Sequence, residues 1–141
     1  MDFVGAKLAL ILADRVLCYL RDDFAGLPFP GHWDLPGGGR EGAETPEACV
    51  LRELEEEFGL CLGQDRLIWR HAFPSWHRRG GQAVFFGGRI RAEEVAAIQF
   101  GSEGQRWEMM PVEAFTGHPM AVPYLRDRVG EMLVELGRSD G

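Results

Sequence analysis

Glu53, Glu56 and Glu57 stand at i, i+3 and i+4, a spacing that on a helix brings three carboxylates to one side. Like charges so placed repel, and each such pair weakens a helix by roughly a few tenths of a kcal/mol. A divalent cation removes that cost, and ligands that are all oxygen select hard ions such as Mg2+ or Mn2+. A solvated acidic helix face accounts for the three glutamates equally well. The preceding loop favours the cation. Gly37, Gly38 and Gly39 allow backbone amides to turn toward phosphate oxygens, Glu44 precedes the helix, and Arg52 lies beside its acidic face.

These groups need a rigid element to hold them. Thr45 followed by Pro46 is a helix start, because a Thr side chain caps a free amide and proline at the first helical position gives up no needed donor. Gly59 is the matching stop. Between them the helical period puts Leu51, Leu54 and Phe58 on one face and predicts Glu53, Glu56 and Glu57 on the opposite one.

The whole stretch resembles the signature of the Nudix hydrolases, G-x5-E-x7-R-E-U-x-E-E-x-G-U with U a bulky aliphatic. Gly38, Glu44, Arg52, Glu53, Leu54, Glu56, Glu57, Gly59 and Leu60 fill all nine specified positions. The lead-in Trp33-Asp34-Leu35-Pro36 is similar to the segment that precedes the signature in many members. The resemblance implies an α/β fold, an α/β/α sandwich whose mixed sheet lies between the signature helix and a C-terminal helix. It also implies hydrolysis of a diphosphate linkage in a nucleoside diphosphate derivative, with Mg2+ or Mn2+ as cofactor. A nucleoside triphosphate, oxidised or not, cleaved to monophosphate and pyrophosphate is the leading expectation. ADP-ribose, nucleotide sugars and dinucleoside polyphosphates remain open, as does a nucleotide sensor without turnover.

Carried over position by position, the resemblance makes Glu56 and Glu57 metal ligands and Glu53 either a third ligand or the general base. Arg52 orients the glutamates, with Glu44 in a similar supporting role. Glu103, in the Glu-Gly-Gln loop ahead of Trp107, is the expected auxiliary ligand or base, with Glu108 as its competitor. Gly37, Gly38 and Gly39 with Arg21, Trp33 and Arg78 are the expected substrate contacts. Phe24, Leu27, Phe29, His77 and Arg79 lie on loops from which a substrate wall could be drawn.

At 141 residues the chain is expected to form one domain, residues 1–141, with a core of its own. Its net charge is −7, and Lys7 is the only lysine. Without a basic stripe such a surface does not suit a nucleic acid polymer, so a phosphorylated small molecule is the expected partner. Cys18, Cys49 and Cys61 show neither disulfide nor zinc spacing. The apolar run Leu8–Ala13 is too short to span a bilayer, so a cytoplasmic protein, monomeric or homodimeric, is expected.

Elsewhere the pattern predicts a hairpin from residues 4–12 and 15–21, a loop over 22–30, and strands at 67–73 and 82–90 with a turn between them. A short helix within 91–99 and a loop feeding a strand near Trp107 follow. Another short helix is expected at 111–115, and the apolar positions from Val122 to Leu136 predict an amphipathic helix with Tyr124 and Met132 in the core.

Overall fold

Two apolar runs that meet across two turn residues pair back on themselves, and in the computed structural model they form β1 (Phe3–Leu12) and β2 (Arg15–Leu20). The structure describes residues 2–76 and 78–140, so His77 lies outside the described residues. The hairpin strands stay paired only beside their turn, at Ile11 with Val16 and Leu12 with Arg15, and then separate. Into the gap come two short strands, β3 (Trp33–Asp34) against β2 and β4 (Gly37–Gly39) against β1.

The other side of β1 pairs in parallel with β6 (Gln82–Arg89), which in turn pairs antiparallel with β5 (Leu67–Pro74). A last strand, β7 (Arg106–Pro111), lies antiparallel along β2. The sheet is therefore mixed, with β5 at an edge and the order β3-β2-β1-β6-β5.

Period-two alternation sorts the strand residues onto two faces. Leu8, Leu10, Val84 and Phe86 join Leu54 and Phe58 of helix α1 (Pro46–Phe58) in one buried cluster. The intervening residues point the other way. Ala9, Ile11 and Phe85 meet Leu125, Val129 and Met132 of the C-terminal helix in a second cluster. Two short helices, α2 (Ala92–Ala96) and α3 (Val112–Thr116), precede that C-terminal helix, α4 (Pro123–Asp140). The sheet thus lies between α1 and α4, as the resemblance implied, and Tyr124 is the exception to the core assignment on α4.

Helix α1 starts and stops for local reasons. The Thr45 Oγ1 accepts the Ala48 amide at 3.1 Å, Pro46 occupies the first turn, and Gly59 takes a left-handed φ of 68° while donating to the Glu55 carbonyl. Leu54 and Phe58 are fully buried and Leu51 is half-buried. The expectation of one opposed acidic face fails at Glu57, which is only 5% exposed. Helical geometry explains the difference: Glu57 lies about 60° from Leu54 around the axis, beside Val50, and so turns inward while Glu56 stays exposed.

Two measurements follow from this packing. Leu54→Ala removes a fully buried side chain and should lower the unfolding free energy by about 2 to 5 kcal/mol, read as a drop in denaturation midpoint. The second concerns Arg66, whose guanidinium holds both oxygens of Glu94 at 2.7 Å. That contact keeps the Glu94 carboxyl down at about 2, so its stabilisation is complete above the ordinary carboxylate range and fades as pH falls toward 2. Glu94→Gln should therefore lower the midpoint at pH 7, and the gap from the parent should close progressively below about pH 4.5.

Candidate active site

The loop from Gly37 to Glu44 and the helix α1 are tied together by one side chain. Arg52 Nη1 donates to Glu53 Oε1 at 2.9 Å and to Glu56 Oε2 at 3.1 Å. Its other two nitrogens take both oxygens of Glu44, Nη2 at 2.8 Å and Nε at 3.1 Å, and Nη2 also donates to the Gly39 carbonyl at 3.0 Å. Glu44 in turn accepts the Glu41 amide, and the Arg52 fork holds its carboxyl down at about 2. The planar guanidinium thus fixes three carboxylates and the end of the glycine turn at once.

The glycines are required by contact. A Cβ on Gly37, where φ is 136°, would meet the Ala6 carbonyl oxygen at 2.1 Å. A Cβ on Gly38 would meet the Glu53 carboxylate at 2.7 to 2.9 Å. The turn therefore lies directly against Glu53. Its Gly37 amide donates to Glu57 Oε1 at 2.9 Å.

Burial then separates the glutamates electrostatically. It pushes the Glu57 carboxyl up to about 8, against the pull of Lys7 and the Gly37 amide. Burial also raises Glu53, partly offset by Arg52. Two carboxyls whose charge is disfavoured in this way form an oxygen-only donor set suited to a hard dication, and Mg2+ or Mn2+ fits that chemistry. Among the described residues no three His, Cys, Asp or Glu side chains converge into a ready cation cluster. Arg52 holds Glu53 and Glu56, while Glu57 faces the Gly37 amide.

Beside the turn opens a cavity of about 260 Å3 against β4 and the first residues of β1 and β6. Gly38 and Gly39 form one wall, Phe29, Trp76 and Tyr124 an aromatic wall, and Lys7, Arg21, Asp34 and Arg128 its charged lining. Asp34 is buried, and it bonds Lys7, Arg21 and the Tyr19 hydroxyl through Oδ2 at 3.0, 2.9 and 3.2 Å. Its Oδ1 accepts the Leu35 amide at 2.7 Å. Burial alone would raise the Asp34 carboxyl, but Lys7 and then Arg21 outweigh it and hold it below the usual range. For Lys7 burial is likewise overcome, chiefly by Asp34, and its ammonium is held above the ordinary value.

Several expected contacts lie elsewhere. Trp33 is 5% exposed and packs in the α4-side core under the Arg106 guanidinium, so its indole does not line this cavity. Arg78 is exposed, 3.7 Å from Asp2, and from the same turn it is Trp76, itself exposed, that lines the cavity. Glu103 is exposed and lines a separate cavity of about 300 Å3 with Tyr19, Arg21, Asp22, Phe24 and Leu27. Conversely, Lys7, Asp34, Tyr124 and Arg128 were not expected here. Lys7 alone carried a signal, as the one charge within an apolar strand.

The Gly38 contact has a measurable consequence. Gly38→Ala should displace the Glu53 carboxylate, a flexible group that can swing aside, so the fold loses no more than about 1 kcal/mol. Turnover, measured beside the denaturation midpoint, should fall by about a hundredfold, the scale of a 1 Å misplacement.

The comparisons agree with this architecture. The NUDIX domain profile matches residues 5–129. An 8-oxo-dGTP diphosphatase of Proteus vulgaris is 47% identical over half of this chain and 70% of its own length. An RNA pyrophosphohydrolase of Gluconacetobacter diazotrophicus is 42% identical over 52% of this chain but 42% of its own length, so the chain spans less than half of that relative. Another RNA pyrophosphohydrolase, from Acidiphilium cryptum, is 31% identical over 98% of this chain and 92% of its own. The crystal structure of a MutT protein from Methanosarcina mazei superposes with a TM-score of 0.73 over 95% of both chains at 21% identity. With a family match over most of its length and the mixed sheet between two helices, the chain belongs to the Nudix hydrolase family.

Proposed function

We propose that this chain hydrolyses the diphosphate linkage of a nucleoside triphosphate, releasing a nucleoside monophosphate and pyrophosphate. The observation that carries the reading is the Arg52 fork, which holds Glu44, Glu53 and Glu56 around a glycine turn that also walls a ring-sized cavity. A substrate with its ring in the cavity brings its phosphates past Gly38 and Gly39 to these carboxylates. The 8-oxo-dGTP diphosphatase among its relatives supports a triphosphate.

In this reading Glu53, Glu56 and Glu57 hold Mg2+ or Mn2+. When bound, the ion neutralises the diphosphate and makes water a better nucleophile. The residues do the rest. Arg52 fixes Glu53 through Oε1, which leaves Oε2 to accept the proton of the attacking water. The burial that raises the Glu53 carboxyl makes it a stronger base than an exposed glutamate. The Gly37 amide holds Glu57 in place, and Glu44 prevents Arg52 from swinging away from its partners.

A second reading has its own support, since a relative aligned along nearly the whole chain is an RNA pyrophosphohydrolase. The 5′-triphosphate end of an RNA presents the same linkage. The net charge of −7 weighs against a polymer, whose phosphates gain affinity from basic surface.

One assay separates these readings: nucleoside triphosphates, ADP-ribose, a dinucleoside tetraphosphate and a 5′-triphosphorylated oligoribonucleotide, each with Mg2+ in 18O-labelled water. Release of pyrophosphate from the free triphosphates is expected, with the label showing which phosphorus was attacked. Turnover of the oligonucleotide alone would move the assignment to RNA ends, and turnover of nothing would leave a nucleotide sensor. In the productive assay Glu56→Gln and Glu57→Gln should each lose orders of magnitude in rate at saturating Mg2+. Near-parental rates would remove those side chains from the metal site.

A further inference from the structure

Arg128 is 8% exposed, yet no carboxylate pairs with it among the described residues. Its guanidinium carbon lies 4.4 Å from the Phe73 ring centre and 4.7 Å from that of Tyr124, and Nη2 donates to the Pro74 carbonyl at 3.2 Å. Burial lowers its pKa, partly offset by Tyr124 and Glu131. A buried cation is ordinarily paired, and among the described residues this one makes a single hydrogen bond from a planar group with five N–H donors. The two rings fix the plane of the fork, and the side chain lines the cavity beside the glycine turn.

The other charged groups of the lining are already engaged. Lys7 donates to Asp34 and to the Leu35 and Gly37 carbonyls. Arg21 donates to Asp34 and to the Pro28 carbonyl. Asp34 accepts four donors, which fills its usual capacity. The cavity therefore has side-chain donors to spare at Arg128 and no spare carboxylate acceptor. Its volume, about 260 Å3, lies just below the usual range for sites that enclose a whole drug-sized ligand. It suits a ring, with the phosphates outside.

The geometry points to Arg128 as the residue that selects a base with adjacent acceptors on its inward edge, the O6/N7 edge of a 6-oxopurine, over a 6-aminopurine. An arginine fork matches that acceptor pair, whereas an exocyclic amine turns a donor against donors. The inference rests on the hydrolase reading for its placement of phosphates outside the cavity, but ring recognition itself needs no turnover.

The test is binding without divalent cations, by calorimetry in EDTA, of inosine and adenosine monophosphates to the full chain. These ligands differ at ring position 6 and in the hydrogen on N1, and share sugar, phosphate and N7. The parent should bind the inosine form roughly tenfold to a hundredfold more tightly. Arg128→Met keeps apolar bulk and should erase the difference by weakening the inosine form alone, while Arg128→Lys, charged but without the fork, should recover only part of it. Denaturation midpoints confirm that both variants fold. Equal binding of the two ligands by the parent, tighter binding of the adenosine form, no binding of either, or an equal loss for both in Arg128→Met would each overturn the assignment. Preference for the inosine form without hydrolysis of any triphosphate would instead uphold the assignment and defeat the hydrolase reading.

Discussion

Crowding of carboxylates on one short helix is the constraint that the rest of the site answers. Like charges at i, i+3 and i+4 repel, so Glu53, Glu56 and Glu57 cannot share α1 as three free anions without cost. The structure meets this in two ways. Arg52 takes Glu53 and Glu56 and anchors itself on Glu44 and the Gly39 carbonyl. Glu57 is instead turned inward, where burial favours its protonated form. Both solutions are provisional in the chemical sense, because a dication that draws the three carboxylates together competes with a hydrogen-bonded fork at one end and with a proton at the other.

The second answer lies in the sheet. Because β1 and β2 pair only near their turn, the β4 glycines can lie against β1 and carry the loop back to α1. The cavity lies beside these glycines, and its charged lining is held by Asp34, which accepts from Lys7, Arg21 and the Tyr19 hydroxyl. Removing one member of a buried charged set leaves its partners exposed to low dielectric, at a cost of about 3 to 5 kcal/mol. The lining is therefore rigid for electrostatic reasons.

Local signals in the sequence were sufficient for the elements that carry the site. Thr45, Pro46 and Gly59 bound α1 because capping depends on neighbouring residues alone, and the spacing of Leu54 and Phe58 placed its buried face. The same logic found the hairpin and α4. It failed wherever a side chain's role depends on what folds over it. Glu57 has a helical position only 60° or so from the buried face, and the Gly37 turn that covers it comes from twenty residues earlier. Trp33 looked like substrate wall beside the glycines, but its strand pairs with β2 and turns the indole into the core. Tyr124 and Arg128 read as ordinary residues of an amphipathic helix, and they line the cavity from the first two turns of α4.

Charge divides the site into two environments. The cavity lining carries Lys7, Arg21 and Arg128 against Asp34 alone, a local excess of cations within a chain of net charge −7. A few ångströms of glycine backbone separate it from the glutamates of α1. A ring rich in acceptors is matched by the first environment without any added ion, whereas phosphates approaching the second meet carboxylates and need their charge balanced. On the proposed reading, the two ends of a nucleotide would meet opposite electrostatics. Gly38 joins the two environments, since its backbone walls the cavity while its missing side chain leaves room for Glu53. Cavity wall and carboxylate placement are consequently set by one residue's backbone, so on the proposed reading a ring seated in the cavity would hold its phosphates at a fixed height above the helix.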